Sequence, residues 1–141
     1  MEQRKFTVIG KPCGKARPRF IRATGRTYTP VKTANAETLV KISYLQTHGD
    51  KNMFIGPVWV QIFAYFNRPK YHYNKAGVKI AAPTHSTTRP DCDNICKLVC
   101  DALNEAAWHD DAQVARVEVV KLYAEPNEYD RMEIYITGME K

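Results

Sequence analysis

The chain has 141 residues, 44% of them hydrophobic and 26% charged, with a formal net charge of +6. That length suits one domain able to bury roughly 70% of its unfolded surface without covalent staples, and the composition is that of a soluble globular protein. No apolar run approaches the ~20 residues that span a bilayer, and no charged segment followed by an apolar one opens the chain, so a cytoplasmic place without membrane contact is expected.

Lys5 to Gly10 alternates apolar with polar and stops at Gly10-Lys11-Pro12, which predicts a first strand. Residues 11–28 carry Pro12, Gly14, Pro18 and Gly25 among basic side chains and read as a loop or arm. Thr29-Pro30 predicts an N-cap followed by proline at the first helical position. Leu39, Val40, Ile42 and Leu45 then recur at helical spacing, with His48 in the last turn and Gly49 closing it. Val58 to Phe66 is almost continuously apolar, β-branched and aromatic, which predicts a central strand buried on both faces. Residues 67–90 form a long connection, of the kind that is functional or disordered.

A second helix is expected over 93–106, with Ile95, Leu98, Val99, Ala102, Leu103 and Ala106 inward. Strands over 113–123 and 131–137 follow, joined by a turn at Pro126-Asn127. The order β-α-β-α-β-β implies an α+β fold, a mixed β-sheet with two main helices packed on it, over the single domain 1–141.

Charge is segregated. Residues 4–32 hold nine Lys/Arg and no acid, residues 51–90 hold six and no acid, and residues 91–111 hold six acids and one lysine. A basic surface beside an acidic cluster suits phosphodiester chemistry, because one part gathers phosphate and the other gathers a cation. Cys92, Cys96 and Cys100 recur every fourth residue on the second helix. They share a face and suit a packing seam in a reducing compartment better than disulfides or a zinc site.

The acids fall in Arg89-Pro90-Asp91-Cys92-Asp93-Asn94-Ile95-Cys96-Lys97 and in Trp108-His109-Asp110-Asp111. Magnesium takes oxygen ligands, usually one or two carboxylates with water and substrate phosphate. If the chain is still extended after Pro90, Asp91 and Asp93 point to one side and meet one ion, with Asp110 and Asp111 completing the shell. An ion held there polarises a scissile phosphate, and Lys97 offsets charge developing on phosphorus. The ordinary structural alternatives are an Asp helix cap and an Asp93–Lys97–Asp101 ion-pair ladder on a solvated face. Reach is a constraint. A helix over 93–106 is roughly 20 Å long, and five residues return only roughly 16 Å. The site therefore closes through a shorter helix or a very direct return, or through a dimer in which one subunit completes the other.

These two segments closely resemble the RusA family of Holliday-junction resolvases, common in bacterial prophages and phages. The family pattern is Asp-x-Asp-Asn-x-x-Lys, a helix containing Asp-Ala-Leu, then Asp-Asp-x-Gln-Val entering a strand. Residues 89–121 carry all of it without a gap, with Lys121 where a strand lysine is often seen. Gly10-Lys11-Pro12, Lys15 to Phe20 and Tyr28-Thr29-Pro30 resemble Gram-positive phage members. The resemblance implies a homodimeric, Mg²⁺-dependent endonuclease, with Mn²⁺ as a substitute and no organic cofactor, cutting four-way DNA junctions by paired nicks. It carries catalytic and metal-binding roles to Asp91, Asp93 and Asp111, with Asp110 adjoining, and makes Lys97 the essential lysine. The departure is the long 67–90 connection, where the best-known members have a short arginine-rich stretch.

Expected DNA contacts are Lys11, Lys15, Arg17, Arg19, Arg22 and Arg26, interleaved with Phe20 as a base-stacking or wedging ring. Arg68, Lys70, Tyr71, His72, Tyr73, Lys75 and Lys79 form a second patch of the same kind, and Arg89 is a further expected DNA contact. The competing readings are a metal nuclease acting on flaps or other branched DNA, and a noncatalytic DNA-binding protein.

Overall fold

The structure is a computed structural model, and it describes residues 1–16, 19–28 and 31–140, with the side chains of Arg19 and Tyr28 excepted. The main sheet contains β1 (Gln3–Ile9), β4 (Val58–Phe66), β7 (Val114–Tyr123) and β8 (Arg131–Gly138), in the spatial order β1-β8-β4-β7. β8 pairs antiparallel with both β1 and β4, whereas β4 and β7 pair in parallel. The expected α+β class and mixed sheet are present. Two short hairpins lie in the segments read as connections. β2 (Arg19–Ile21) pairs with β3 (Arg26–Tyr28), and β5 (Tyr73–Asn74) with β6 (Gly77–Val78).

Helix α1 (Val31–His48) packs on β1 and on the second helix, α2 (Cys92–Leu103), which packs in turn on β7. Both helices share one sheet face with Phe6, Val8, the alternate residues Val58 to Phe66 of β4, and Ile134 and Ile136. The expected α1 N-cap at Thr29-Pro30 lies outside the described residues. Within the helix, the inward stripe is Thr33, Val40, Tyr44 and His48. Leu39, Ile42 and Leu45 instead stand 41–45% exposed. Tyr44 and His48 take the inner positions because each finds a polar partner there. The Tyr44 hydroxyl accepts from buried Arg4 at 2.7 Å, and His48 Nε2 lies 2.8 Å from the Lys5 carbonyl.

β4 is central, but only alternate residues are buried. Its other face carries Trp59, Phe63 and Tyr65, and cations partly cover these rings where burial on both faces was expected. Arg116 lies over Trp59 and Arg131 over Tyr65, each at 4.0 Å. The continuous apolar run therefore reflects cation-covered aromatics on one face and the helix-packed core on the other.

α2 ends at Leu103, three residues before the expected end. Asn104 and Trp108 then bridge to each other, and Glu105 takes φ 64°, so the chain reverses in a tight turn. Trp108 is fully buried and also bridges to Phe54, which seals this end of the core.

Replacing Leu98, fully buried on α2, with alanine should cost about 2–5 kcal/mol in urea unfolding. Leu45→Ala on the half-exposed stripe should cost less than about 1 kcal/mol. Equal costs would contradict the observed rotation of α1.

Candidate active site

The apolar residues of α2 (Ile95, Leu98, Val99, Ala102 and Leu103) face the core, which leaves Asp93 and Lys97 exposed on the outer side. Asp91 is the N-cap residue, after a cis Arg89–Pro90 peptide, with φ −73° and ψ 155°. Asp93 already lies in the first helical turn, so the expected extended Asp-x-Asp geometry is replaced by two acids at one helix end. An aspartate at this place ordinarily accepts a hydrogen bond from a free backbone N–H. The Asp91 carboxylate makes no such bond.

The Asp93–Lys97–Asp101 ladder is also absent. Asp101 pairs with Lys15 at 2.9 Å, and Lys97 has no ion-pair partner among the described residues. Asp91 and Lys97 thus have neither of the ordinary structural roles.

The second acidic pair divides. The Asp110 carboxylate accepts from the Ala112 N–H at 3.1 Å, and the Gln113 side chain accepts from the Asp110 N–H at 3.1 Å, a reciprocal cap on the short turn Asp111–Gln113. Asp110 was expected in the metal shell; one of its oxygens is engaged in building the turn. Asp111 Oδ1 accepts from the buried Trp108 indole N–H at 2.9 Å, which leaves its other oxygen free and orients the carboxylate.

The return of the chain brings Asp111 back beside α2. A hydrogen bond from Cys100 pulls the Cys96 thiol down to about 7, against burial and the charges of Asp93, Asp101 and Asp111. Cys100 is pushed up by that same hydrogen bond and by burial. Three carboxylates therefore act on one thiol one turn along from Asp93. Among the described residues, however, no three His, Cys, Asp or Glu side chains converge closely enough to hold an ion. The expected closure of four aspartates within one chain is not observed. One oxygen of Asp110 caps a turn, and Asp111 comes near enough to α2 for its charge to act on the Cys96 and Cys100 thiols.

The donor set nonetheless suits a hard divalent cation. It consists of Asp91 without a capping bond, exposed Asp93, and Asp111 with one oxygen free.

A groove of about 760 Å³ leads to Asp91, lined by Lys11, Gly14, Lys32 and Arg89. Lys32 was counted in the basic run but not singled out; its place in the first turn of α1 was the available signal. Gly14 has a packing role that spacing alone did not reveal. A Cβ there would lie 2.9 Å from the Cβ atoms of both Pro90 and Asn94, so glycine lets the arm close on the start of α2. The Lys15 N–H also donates to the Asn94 carbonyl at 2.9 Å. Lys121 Nζ donates to the Thr88 carbonyl and ties the loop before Asp91 to β7.

The expected DNA cations separate in the same way. Lys11 and Arg89 are exposed at the groove, Lys70 is exposed in a 3-10 turn, and Arg22 and Arg26 are exposed on the β2–β3 hairpin beside Phe20, which is 64% exposed. Arg17 lies outside the described residues, and of Arg19 only its place in β2 is described. Two of the expected cations have partners within the chain. Lys15 is bound between Glu37 and Asp101, and Arg68 donates to the Pro83 carbonyl at 2.6 Å while lying over the Tyr123 ring. Both serve the fold: the Lys15 charge is matched by two carboxylates, and Arg68 is held by a carbonyl and an aromatic ring.

The profile of the RusA endodeoxyribonuclease family matches residues 10–137. The chain belongs to the RusA family. The matched span includes the arm, the groove, α2 and the return through Asp111 into β7. As a RusA-family endodeoxyribonuclease the protein hydrolyses DNA, in a family whose nucleases generally depend on a divalent metal. A relative is the uncharacterized protein YqaN of Bacillus subtilis (strain 168), 35% identical over 126 residues, which cover 86% of this chain and 88% of the relative.

Asp110→Ala should lower stability by about 1 kcal/mol, the value of a lost cap, while DNA cleavage persists. Trp108→Phe removes the hydrogen bond that orients Asp111 and should cut cleavage by roughly 10–100-fold. Cleavage rates compared with urea unfolding for both variants separate the two roles. An inactive but stable Asp110→Ala protein would contradict the assignment.

Proposed function

We propose that this RusA-family nuclease resolves four-way DNA junctions by paired symmetric nicks as a homodimer, using Mg²⁺ with Mn²⁺ as a substitute. The observation that carries the reading is on α2. Asp91 stands at a helix N-terminus without capping it, and among the described residues Lys97 stands one turn beyond Asp93 without an ion pair. Groups left out of the fold's own bonding, at the positions of the family's Asp-x-Asp-Asn-x-x-Lys pattern, are available to substrate.

Asp91, Asp93 and Asp111 would hold the cation, which when bound supplies Lewis-acid neutralisation of phosphate charge. The chain's own residues do the rest. Lys11, Lys32 and Arg89 gather and align the strand along the groove through phosphate contacts that carry little base information. Lys97 presents a positive charge to the developing phosphorane. Trp108 fixes the orientation of Asp111.

One observation supports a shared site: no acidic trio converges within one chain among the described residues. A second copy brings further carboxylates and lysines to each centre, and two centres in one dimer account for paired nicks. The place of action is the cytoplasm of a bacterial host, in recombination, repair or phage DNA processing.

Purified protein incubated with labelled junctions, flaps and linear duplex, with and without Mg²⁺, tests the proposal. Symmetric nicking of junctions that requires the metal is expected. Cleavage confined to flaps would replace junction resolution by flap processing. Asp91→Asn and Asp111→Asn should abolish cutting while junction affinity is retained, and parallel loss of binding would assign them to the fold. Lys97→Ala should slow cutting by roughly 10²–10³-fold. Heterodimers of Asp91→Asn with Lys97→Ala chains should recover part of the activity if those groups meet across the dimer, and no recovery would place them in the same subunit's site.

A further inference from the structure

Beyond the groove, Lys11 and Arg89 also line a second, smaller cleft of about 300 Å³. Its other lining groups include Asn67, Tyr71, Tyr123 and Asp130, with buried Phe66 behind them. The two clefts thus share a cationic rim, with Asp91 in one and aromatic rings, Asn67 and Asp130 in the other. We propose that the smaller cleft receives one unpaired nucleobase of the strand whose phosphate lies at Asp91, and that Lys11 and Arg89 hold the phosphate between them. The proposal rests on the reading of the groove as the path of the cleaved strand, and adds a base-holding site to it.

The chemistry of the lining matches that ligand. An unpaired base needs a ring to stack on, polar groups for its edge and a cation for its phosphate. Tyr71 and Tyr123 supply rings, the Asn67 side chain and Asp130 supply donors and acceptors, and the rim supplies charge. A cleft of this volume lies at the small end of ligand sites, which suits one base better than a base pair.

The cleft is also built in advance. Tyr123 is held on one side by Arg68, 5.2 Å from its centroid, and edge-on by His72 at 4.9 Å. Arg68 is itself fixed on the Pro83 carbonyl at 2.6 Å. Burial, with the charges of Arg68 and Lys79, holds the His72 imidazole below its ordinary range, so it packs as a neutral ring. Lys121 fixes the Thr88 carbonyl at the rim, and the Asn67 N–H is fixed on Asp130 Oδ1, leaving Oδ2 without that bond.

Tyr71 differs from these. It is 70% exposed and meets His72 edge-on at 4.8 Å. A large ring exposed at the mouth of a rigid polar cleft, beside two exposed cations, is placed to cover an incoming base. In this arrangement the long 67–90 connection has a defined purpose, since it supplies Asn67, Tyr71 and Arg89.

The test is a binding cycle between protein and DNA. Full-length Asp91→Asn protein, alone and combined with Tyr71→Ala, Tyr71→Phe or Asn67→Ala, is titrated by anisotropy against four-way junctions. An abasic site is moved one nucleotide at a time through the positions flanking the branch point. Tyr71→Ala should weaken binding to the intact junction by about tenfold, the loss of one base–ring stack. Tyr71→Phe should restore it.

At one position the abasic site should cost a similar factor, and combining it with Tyr71→Ala should add no further loss. Tyr71 is exposed, so its removal leaves the core intact. Losses that multiply at every position, or no loss in Tyr71→Ala, would overturn the base site. Cleavage by the unsubstituted protein is scored separately. A coupled cycle without cleavage of any junction would retain the base site and end the resolvase reading, whereas cleavage with an uncoupled cycle would end the base site alone. Absence of binding to every one of these DNAs would overturn both.

Discussion

Because β4 and β7 run parallel and side by side, the chain between them must cross the sheet and come back, and α2 is the helix of that crossover. This constraint ties the two acidic segments together. The first sits where the chain enters α2, and the second sits where it leaves the return turn for β7. The buried face of α2 fixes which side chains turn outward, and the buried Trp108 fixes how the returning segment presents Asp111. A slip of α2 by one residue would bury Asp93 or Lys97 and expose core leucines, at a cost of several kcal/mol. The geometry of the candidate site is thus inherited from the core.

The cations divide into those matched within the chain and those left for something else. Lys15 spans Glu37 on α1 and Asp101 on α2, and together with Gly14 it clamps the N-terminal arm against Pro90 and Asn94. Arg4, Arg68 and Arg131 are likewise engaged, with carboxylates, carbonyls or aromatic rings. Lys11, Lys32 and Arg89 remain at the groove. Net charge alone draws a polyanion toward the molecule, and among the described residues these cations without ion-pair partners are placed to position a phosphate near Asp91. Asp101 shows the same division among the acids, since it is consumed by Lys15 whereas Asp91 forms no capping bond.

Much of the architecture was legible in the residues. The alternation in β1 and β8, the 3.6-residue period of α2 and the Pro126-Asn127 turn are local signals, and each element formed near its expected place. The departures came from partners distant in sequence. α1 turned Tyr44 and His48 inward instead of Leu39, Ile42 and Leu45, because Arg4 and the Lys5 carbonyl offered polar partners that periodicity does not encode. β4 kept one face away from the helices because Arg116 and Arg131 cover its aromatic rings. The hairpins within 11–28 and 67–90 were missed, since strands of two or three residues are too short to display a period.

By itself the sequence determined which chemical groups are available and in what order: carboxylates and a lysine on one helix, an Asp-Asp pair before a strand, and basic segments on either side. It did so because side-chain chemistry and helical period are properties of neighbouring residues. Only the tertiary structure decided which of those groups are free. It assigned Lys15 to a clamp and Arg68 to a carbonyl, and among the described residues it left the Asp91 carboxylate without a capping bond and Lys97 without an ion pair. Whether a charge is spent or available depends on what the fold brings within about 3–4 Å of it, and most of those partners lie tens of residues away along the chain.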